Sequence, residues 1–509
     1  MHIERELKFR LAPDVGNELW SSLPGAPVAT RRRLDSTYFD TPEFQLREAR
    51  TALRLRRDGR KRVMCFKSES PGVSGVPQRR EWEAPALAGK FSPEALPCDE
   101  IKAASGVDLR RLAAKMKPVF ETRFVRRSAE VALEDGTRVE VCLDAGSIET
   151  ARRSAPLHEL ELELIEGSAA SMLALAESLV EPMGLELEAC SKAEQGYRLI
   201  KPRVAIPLKA QAARLQRGMS AELAMLAIFD RCRAQVQANV AGTMHARNPE
   251  FLHQLRVGLR RLRSALRTFA PLLSKSSVRP LTHELKAIVA ELGGARDWDV
   301  LYALLSQRIL PTAARSADMI RLLRKVRTRR NTARWQARQA LASAAFHKFL
   351  LHLMRWMEQA PWRRSAEAQR AVARSASGVG QRTIAREERK VLSHAQSIDW
   401  ADSAARHRLR ILVKRLRYGC EFFSDAFAGK TTQRYLDRLE AVQDVLGELN
   451  DISVADRLLE ELGNASSREG VAYVQGWLAA RQSILVARLR VVWRSWKKLA
   501  KFDRPRRRE

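Results

Sequence analysis

The chain has 509 residues and a formal net charge of +31, so it is long enough for two to four domains and would ordinarily be expected to bind nucleic acid. The positive charge is confined to one part, because residues 1–200 contain 31 Lys and Arg against 32 Asp and Glu, whereas residues 201–509 contain 59 against 27, giving net charges of −1 and +32. Six scattered cysteines without zinc-ligand spacing indicate a reducing compartment, and the lack of an apolar run of about 18–20 residues argues against a membrane-spanning helix, so we expect a cytoplasmic protein.

Strands with one charged and one apolar face dominate residues 1–200. Ile3 to Leu11 places Glu4, Glu6 and Lys8 on one face, since successive side chains of a strand point to opposite sides. A strand that begins this early leaves no room for a signal peptide. Further predicted strands cover residues 36–42, 51–57, 62–67, 79–83, 117–131, 138–144 and 158–165, and predicted helices cover residues 14–22 and 168–183.

The charged faces of these strands differ in sign. Two neighbouring strands carry bases, which are Arg54, Arg56 and Lys67. Another strand carries three carboxylates, which are Glu159, Glu161 and Glu163. Any one such strand is typical of an ordinary sheet with one face in water. Glutamates spaced by about 7 Å repel one another unless cations lie between them, however, and the bases equally need an anion. A closed barrel lined by both sets resolves the two conflicts, with divalent metal on the carboxylates and phosphate on the bases.

A set of short motifs runs through residues 1–200 in order. The motifs are E-x-E-x-K (4–8), S-x-Y-F-D-T-P (36–42), L-R-L-R (53–56), the later Lys67, L-D-x-G (143–146), E-L-E-L-E-L (159–164) and S-K-A-x-x-G-Y (191–197). As an ensemble they resemble the CYTH family of triphosphate tunnel metalloenzymes. This resemblance implies a closed antiparallel β-barrel of about eight strands, a bound triphosphate, and Mg²⁺ or Mn²⁺, with two ions expected.

The resemblance also implies roles for individual residues. By matching position, the metal ligands would be Glu4, Glu6, Asp144, Glu161 and Glu163. The triphosphate-binding bases would be Lys8, Arg54, Arg56, Lys67, Arg126 and Lys192. Lys8, Glu4 and Glu6 would be central to catalysis, and the match is less direct at Glu81, Glu140, Glu159 and Arg79. Arg126 is favoured over Arg123 because strand parity lets at most one of them point inward. The general base stays open between a glutamate and a metal-bound hydroxide.

The remainder of the chain is predicted to be helical. Residues 201–214 form a basic, proline-containing linker, and patterns rich in Ala, Leu and Arg follow from about Leu215. An internal repeat has an offset of 154 residues, since residues 253–269 match residues 407–423 and the register continues without a gap to Val300 and Val454. Such a register indicates duplication. We therefore predict an α+β multidomain chain, with an all-α domain over 215–505 made of two repeated helical bundles at about 215–365 and 366–505.

Each copy of the repeat contains a helix with one basic face. The side chains that share this face are His253, Arg256, Arg260 and Arg263 in the first copy and His407, Arg410, Lys414 and Arg417 in the second. Recurrence and the unfavourable like-charge spacing indicate a bound anion rather than a merely solvated face. The blocks H-x-L-R-x-x-x-[RK]-R-L-R and L-G-x-x-x-D-x-x-V resemble the CHAD domain, which implies binding of long-chain inorganic polyphosphate. In the second block we expect Gly to end one helix and Asp297 or Asp451 to cap the next.

These observations favour a metal-dependent inorganic triphosphatase, a hydrolase of phosphorus-containing anhydrides, joined to a polyphosphate-binding helical domain. Hydrolysis of a triphosphate needs positive charge along its length and a water held in line, which the barrel residues are suited to supply. Three alternatives stay open: a polyphosphate-binding or targeting protein with little catalysis, an adenylate cyclase, or another organic triphosphatase. Nucleic-acid binding is less favoured because aromatic residues near the repeat helices fall mainly on core faces. We expect no membrane partner, a cytoplasmic or polyphosphate-granule location, and leave the oligomeric state open.

Overall fold

The computed structural model describes residues 2–13, 15–16, 18–69, 75–86, 92, 95–201, 206–311, 316–427, 429–462 and 467–499. The chain divides into two compact units, one formed by residues 1–206 and 342–360 and the other by residues 207–341 and 361–509. The sequence assigns residues 342–360 to the helical domain, whereas in the structure they belong to the N-terminal unit. Part of the expected linker, 202–205, lies outside the described residues.

A closed barrel of eight antiparallel strands forms the N-terminal unit, which confirms the predicted fold. The strands are β1 (His2–Arg10), β2 (Thr30–Asp40), β3 (Thr51–Asp58), β4 (Lys61–Glu69), β5 (Gln78–Pro85), β6 (Lys117–Ala132), β7 (Arg138–Glu149) and β8 (Ser154–Glu166). Their order is β5-β4-β3-β2-β6-β7-β8-β1, and pairing of β1 with β5 closes the barrel. A short ninth strand, β9 (Glu186–Leu187), also pairs with β1.

The apolar faces of the strands are covered from outside by helices. The helices of this stretch are α1 (Glu18–Ser22), α2 (Gln45–Glu48), α3 (Cys98–Ser105), α4 (Leu109–Leu112), α5 (Ala169–Val180) and α6 (Lys192–Ile200). Phe9 of β1 and Leu160 and Leu162 of β8 share one core with Leu173 and Leu179 of α5. Each such side chain contributes roughly 1.5–3 kcal/mol on burial. Because side chains alternate along a strand, burying these residues outside turns the charged residues between them toward the interior.

Helices make up the rest of the described chain. They are α7 (Ala221–His245), α8 (Glu250–Phe269), α9 (Lys275–Glu291), α10 (Gly293–Ala303), α11 (Ala317–Ala342), α12 (Ala344–Gln359), α13 (Ala366–Val372), α14 (Ala376–Gln396), α15 (Ser403–Phe422), α16 (Lys430–Glu460) and α17 (Arg468–Lys497). The two repeat helices α8 and α15 are each 20 residues long and contact each other. Helices α10 and α16, which contain the second repeated block, also contact each other. In the described part of the chain, no helix combines the length and apolarity needed to cross a membrane.

The predicted helix break at the L-G-x-x-x-D block occurs in the first copy, where α9 ends at Glu291 and α10 follows Leu292, but not in the second, and the predicted aspartate cap is wrong in both. Gly293 is the first residue of α10, and Asp297 lies inside that helix. In the second copy, Gly447 and Asp451 both lie within the uninterrupted α16. The helix continues through Gly447 because apolar neighbours such as Leu446 are buried at helical spacing, and their packing outweighs the cost of about 1 kcal/mol for an interior glycine. The two aspartates therefore do not cap helices.

Candidate active site and basic cluster

Charged side chains of both signs line the interior of the barrel. On β1, Glu6 lies opposite Glu163 and Lys8 lies opposite Glu161 of β8. The carboxylates are withdrawn from solvent, and Glu4 and Glu6 are 5% and 6% exposed. The predicted site residues that the structure brings together here are Glu4, Glu6, Lys8, Arg54, Arg56, Lys67, Arg126, Asp144, Glu161, Glu163 and Lys192.

Glu161 is the centre of the interior ion network. Its Oε1 lies 2.6 Å from Nζ of Lys8 and 2.7 Å from Nζ of Lys192, and Arg126 donates to its Oε2. Burial alone would raise the pKa of Glu161, but Lys192, Lys8 and Arg126 outweigh that effect and hold the pKa well below its usual range. Because buried charges persist only when they are paired, the network keeps three cations ionised inside the barrel.

Asp144 holds two of these cations in fixed positions. Both guanidinium contacts from Arg126 to Asp144 measure 2.7 Å, so the pair is bidentate. Nζ of Lys192 lies 2.9 Å from Asp144 and 2.8 Å from Glu159. Bidentate pairs fix direction as well as distance. Arg126 and Lys192 are therefore aimed into the barrel by carboxylates on neighbouring strands.

Strand parity separates the two arginines of β6 as the sequence predicts. Arg126 points into the barrel, whereas Arg123 lies on the outer surface with its guanidinium 2.7 Å from Glu121 and 3.4 Å from Glu149. An exposed pair of this kind contributes about 0–1 kcal/mol. Arg123 is thus removed from the interior network.

A second group of contacts neutralises the carboxylates of β1. Nζ of Lys67 lies 2.7 Å from both carboxylate oxygens of Glu4 and 3.3 Å from Glu81. Arg79 donates to Glu6 at 3.1 Å. Two residues that match the family motifs less directly, Glu81 and Arg79, therefore belong to the same interior network as the matched ones.

Glu163 differs from the other interior carboxylates. Its ion-pair contact is with the exposed His2, at 3.9 Å. Burial, reinforced by the charge of Glu4, raises the pKa of Glu163 to about 7, and Glu6 adds to the effect. Mutually repelling carboxylates of this kind are favourable ligands for a hard divalent cation. As oxygen donors, Glu4, Glu6 and Glu163 are the ligand type that Mg²⁺ or Mn²⁺ prefers, while in this structure Glu4 is paired with Lys67 and Glu6 with Lys8 and Arg79.

Arg54 and Arg56 form a basic wall on β3. Both are largely withdrawn from solvent, and among the described residues neither Nε atom has a hydrogen-bond partner. Burial, followed by the charges of Arg54 and Arg126, lowers the pKa of Arg56. Buried guanidinium groups that repel one another are stabilised by an anion, and their planar donors match phosphate oxygens.

The S-K-A-x-x-G-Y motif explains how Lys192 reaches the interior. Lys192 is the first residue of α6, and Tyr197 near the end of that helix donates to Asp40 at 2.7 Å. A Cβ atom on Gly196 would lie 2.2 Å from the ring of Phe120, so a side chain there would push the helix away from β6. The motif therefore positions the helix, and the helix positions the lysine.

Two interior residues were not anticipated from the sequence. Sγ of Cys65 donates to Glu81 at 2.8 Å, and the side-chain amide of Gln195 donates to Glu159 at 3.1 Å. Cys65 lies on the inward face of β4, so strand alternation was the available signal. Gln195 follows Lys192 by three residues on α6 and therefore shares its helix face.

In the C-terminal unit, the basic faces of α8 and α15 come together. We define Arg256, Arg260, Arg410 and Lys414 as the basic cluster. The charge of Arg260 on α8 acts on both Arg410 and Lys414 of α15, which shows that the two faces are close. Within the described residues, the Nε atoms of Arg256, Arg260, Arg263 and Arg410 are buried without a hydrogen-bond partner. Arg417 instead pairs with Glu440 at 3.1 Å.

The basic cluster is electrostatically unfavourable without a counter-charge. Burial, followed by the charges of Arg410 and Arg260, lowers the pKa of Lys414 to about 6. Burial, followed by Arg260, likewise lowers the pKa of Arg256 to about 10. Both shifts mean that the nearby negative charge does not offset burial and the repulsion among the bases, so the cluster is suited to a polyanion.

The two repeat histidines have different surroundings. Nδ1 of His407 lies 3.0 Å from Oδ1 of Asn450, which also accepts from Arg410. Arg296 holds the position in the first copy that Asn450 holds in the second, at the offset of 154. Burial, followed by the charge of Arg296, lowers the pKa of His253 to about 4. Arg296 was not predicted as a site residue, although the register of the repeat points to it.

The aspartates of the second repeated block face the bases of the first. Burial raises the pKa of Asp297, opposed by Arg256, and raises that of Asp451, opposed by Arg410. These two carboxylates therefore supply the counter-charge within reach of the cluster, one from each copy, instead of capping helices as expected.

A closed barrel with a charged interior, followed by a duplicated helical unit, defines a tunnel-type barrel protein with an appended helical module. A family model for the CYTH domain matches residues 2–197, and a family model for the CHAD domain matches residues 227–460. The crystal structure of the CHAD domain from the plant Ricinus communis is 32% identical, with a TM-score of 0.50, and the match covers 57% of this chain and 97% of that chain. The chain therefore belongs to the CYTH and CHAD families, with a CYTH domain followed by a CHAD domain.

Two further proteins are similar to the N-terminal part. An inorganic triphosphatase from Haemophilus influenzae is 26% identical over 205 residues, which is 38% of this chain and 54% of that protein. The chain thus spans about half the length of this curated relative. A proposed adenylyl cyclase from Hippeastrum with a dominant triphosphatase activity is 20% identical, with a TM-score of 0.28, over 38% of this chain and 95% of that chain.

Proposed function

We propose that the CYTH domain hydrolyses inorganic triphosphate with Mg²⁺ or Mn²⁺. The observation that carries this proposal is that basic and acidic side chains line the interior of one closed barrel. The basic wall of Arg54 and Arg56 shares this interior with the carboxylates of Glu4, Glu6 and Glu163. A short phosphate chain satisfies the bases, and a divalent ion satisfies the carboxylates. The similarity to an inorganic triphosphatase supports this choice of substrate.

In this mechanism the bases bind and orient the substrate. Lys8 and Lys192 now share Glu161, so an entering phosphate chain gains two ammonium groups that are already ionised and positioned. Arg54 and Arg56 contribute donors that have no other partner among the described side chains. Preorganised donors of this kind stabilise charge that develops on phosphoryl oxygens without having to reorient during the reaction.

The carboxylates have the complementary task. Glu4, Glu6 and Glu163 would hold a divalent ion, with Asp144 and Glu161 as further carboxylates for a second one. Such an ion supplies Lewis-acid stabilisation of phosphoryl oxygens when it is bound. The barrel wall limits access of bulk water, so that a water held in line with the end phosphoryl is favoured over random attack.

Phosphate release from tripolyphosphate, ATP and thiamine triphosphate, each with Mg²⁺ or Mn²⁺, tests the proposal on the full chain. We expect cleavage of tripolyphosphate above the two organic substrates. Glu4→Gln should lower the rate by roughly 100-fold or more, because it removes charge at the predicted metal site. Glu130→Gln, which changes an exposed carboxylate paired with Arg138, is the matched control and should leave the rate unchanged. Absence of cleavage, or full activity of Glu4→Gln, would refute the proposed triphosphatase activity.

We also propose that the CHAD domain binds long-chain inorganic polyphosphate through the basic cluster. The supporting observation is the set of buried, unpartnered Nε atoms contributed by both α8 and α15. His253, Arg263, His407 and Arg417 are proposed to extend the binding surface on the same helices. Recruitment of the chain to polyphosphate granules would follow from this affinity.

Charge reversal tests the binding proposal. Arg256→Glu and Arg410→Glu should each abolish retention on immobilised polyphosphate, whereas Arg490→Glu, at an exposed position of α17, should retain binding at low salt. Soluble polyphosphate should also displace any bound DNA, because aromatic residues at the ends of the repeat helices, such as Phe269 and Phe422, are buried in the core and cannot stack on bases. Equal or tighter binding to DNA would instead support a nucleic-acid ligand.

A further inference from the structure

Helix α12 belongs to the barrel unit although it lies far beyond the CYTH segment in sequence. Leu351 and Met354 of α12 are buried in the same core as Leu173 of α5. Arg355 of α12 also pairs with Glu177 of α5 at 3.1 Å. The outer face of the barrel domain is therefore completed by a helix that the chain supplies about 150 residues after the match to the CYTH family ends.

The far end of α12 fits closely against the barrel segment before β5. A Cβ atom on Gly75 would lie 2.5 Å from the carbonyl oxygen of Met354, so the two backbones approach as closely as a glycine allows. The backbone N–H of Val76 donates to the carboxylate of Glu358 at 3.2 Å. These contacts fix the position of the helix along the barrel.

Near its start, α12 contacts the short strand β9 through one buried histidine. His347 is 3% exposed, and its Nδ1 accepts a hydrogen bond of 3.1 Å from the backbone N–H of Leu187. On its other edge β9 pairs with β1, and the N–H of Glu188 donates to the carbonyl of Lys8 at 2.8 Å. A two-residue strand has little stability of its own. It is held here between the strand that carries Lys8 and the imidazole of His347.

The segment after β9 leads directly to the buried lysine of the tunnel. The carboxylate of Glu188 accepts from the N–H of Cys190 at 2.8 Å, and the amide of Gln195 donates to the carbonyl of Cys190 at 3.3 Å. Lys192 follows as the first residue of α6 and lies 2.7 Å from Glu161. Leu187 of β9 and Lys192 are therefore connected by only five residues of chain.

We propose that His347 is a positioning residue for the tunnel: it holds β9 against β1 and thereby sets the place of Lys192. Through it, a helix encoded within the CHAD part of the sequence completes the triphosphate site. Because Nδ1 accepts a hydrogen bond from the backbone N–H of Leu187, the imidazole must carry no proton on that nitrogen, and only a side chain with an acceptor at this position can replace it. The kinetic part of the test below rests on the proposed hydrolysis.

His347→Phe in the full chain is the informative variant, because it keeps a buried ring and removes the acceptor. We expect kcat/KM for tripolyphosphate to fall roughly 10- to 100-fold, mainly through KM, since a misplaced Lys192 binds phosphate less well. His347→Asn places an acceptor near the position of Nδ1 and should restore most of the loss. Lys348→Ala removes a neighbouring contact with Glu181 on the surface of the same helix and should match the wild type.

A double variant separates positioning from a general loss of stability. In a Lys192→Ala background, His347→Phe should cause no further change in KM, because both substitutions act on the same group. Multiplicative effects of the two substitutions, or a His347→Asn variant as impaired as His347→Phe, would overturn the inference.

Amide hydrogen exchange tests the same inference without any reaction. In His347→Phe, exchange should accelerate at residues 186–192 while the other barrel strands keep their protection. Unchanged exchange at 186–192, or an equal acceleration over the whole barrel, would overturn the inference. If the wild type cleaves no triphosphate but His347→Phe still shows the local exchange effect, the proposed function fails and the positioning role stands.

Discussion

Lys8 of β1 and Glu161 of β8 are cross-strand partners whose side chains meet at 2.6 Å inside the barrel. The same carboxylate also contacts Lys192 and Arg126, so one negative charge holds three cations in place. This relationship makes the interior most sensitive to the charge on Glu161, because truncating one member of a buried ionic network leaves the others unpaired.

Glu161→Gln should separate binding from hydrolysis. The substitution removes one carboxylate partner from each of three cations, so tripolyphosphate should bind at least as tightly in the absence of metal, while kcat should fall by about 100-fold or more because a predicted metal ligand is lost. Calorimetric titration with tripolyphosphate and a phosphate-release assay measure the two effects. A variant that loses affinity and keeps its turnover would contradict the assigned role of the carboxylate.

The two arginines of β6 offer a matched pair of substitutions. Arg126→Ala removes the bidentate contact with Asp144 and should raise KM for tripolyphosphate at least tenfold, besides destabilising the barrel by up to about 3–5 kcal/mol because this buried carboxylate keeps only Lys192 as a cationic partner. Arg123→Ala breaks exposed pairs and should change stability by less than about 1 kcal/mol, with KM unchanged. Steady-state kinetics and thermal unfolding of both variants check the contrast, and equal effects would disprove the assignment of Arg126 to the interior site.

Polyphosphate binding should be coupled to proton uptake at Lys414. Its pKa of about 6 reflects burial and the charges of Arg410, Arg417 and Arg260, opposed by Asp451, so the amine is largely neutral at about pH 8. A bound polyanion favours the ammonium form and therefore draws a proton from the buffer. Calorimetric binding enthalpies should accordingly differ between Tris and HEPES, and this difference gives the number of protons taken up on binding. In Lys414→Met that number should be lower by about one. Enthalpies independent of the buffer would exclude the coupling.

The depressed pKa of Lys414 also makes the free energy of unfolding of the ligand-free protein depend on pH. Between about pH 6 and pH 10 the unfolded chain keeps a proton that the folded chain has lost, so the free energy of unfolding rises with pH through this window. As pH falls toward 6, Lys414 must charge in an unfavourable place and its contribution is lost. Lys414→Met should flatten this part of the pH profile of thermal unfolding.

Gly196 and Gly476 should respond oppositely to alanine. A Cβ on Gly196 would lie 2.2 Å from Phe120, so Gly196→Ala should destabilise the barrel by about 1–3 kcal/mol and displace Lys192 on α6, lowering the triphosphatase rate. A Cβ on Gly476, in the middle of α17, meets no atom within 4 Å, so Gly476→Ala should stabilise that helix by about 0.5–1 kcal/mol. Thermal unfolding and phosphate release distinguish the two. A stable and fully active Gly196→Ala variant would show that α6 tolerates a larger separation.

Much of the barrel and its lining could be predicted because strand alternation is a local property. Once Leu160 and Leu162 were assigned to a core, Glu161 and Glu163 had to face the other way, and the same rule separated Arg126 from Arg123. The motif order in residues 1–200 then indicated which strands share one interior. The duplicated helices could be predicted equally well, because the match at an offset of 154 residues is a property of the sequence alone.

Contacts between distant segments could not be predicted in the same way. The L-G-x-x-x-D blocks suggested a helix break on local propensity, yet the buried apolar neighbours of Gly447 keep α16 continuous. Likewise, the sequence placed residues 342–360 in the helical domain, because a helical pattern does not show which partner covers the helix. In the structure, Leu351 and Met354 of α12 pack against α5 of the barrel.

The sequence by itself determined the fold class of each domain, the charged lining of the barrel and the basic faces of the repeat helices, because periodicity and charge are local properties of the chain. Only the tertiary structure decided that Lys192 joins Lys8 and Arg126 on Glu161, and that His347 reaches β9 across 160 residues of chain. The physical reason is that hydrophobic burial is non-directional: it requires an apolar face to be covered, and only the packing of the whole chain selects which segment covers it.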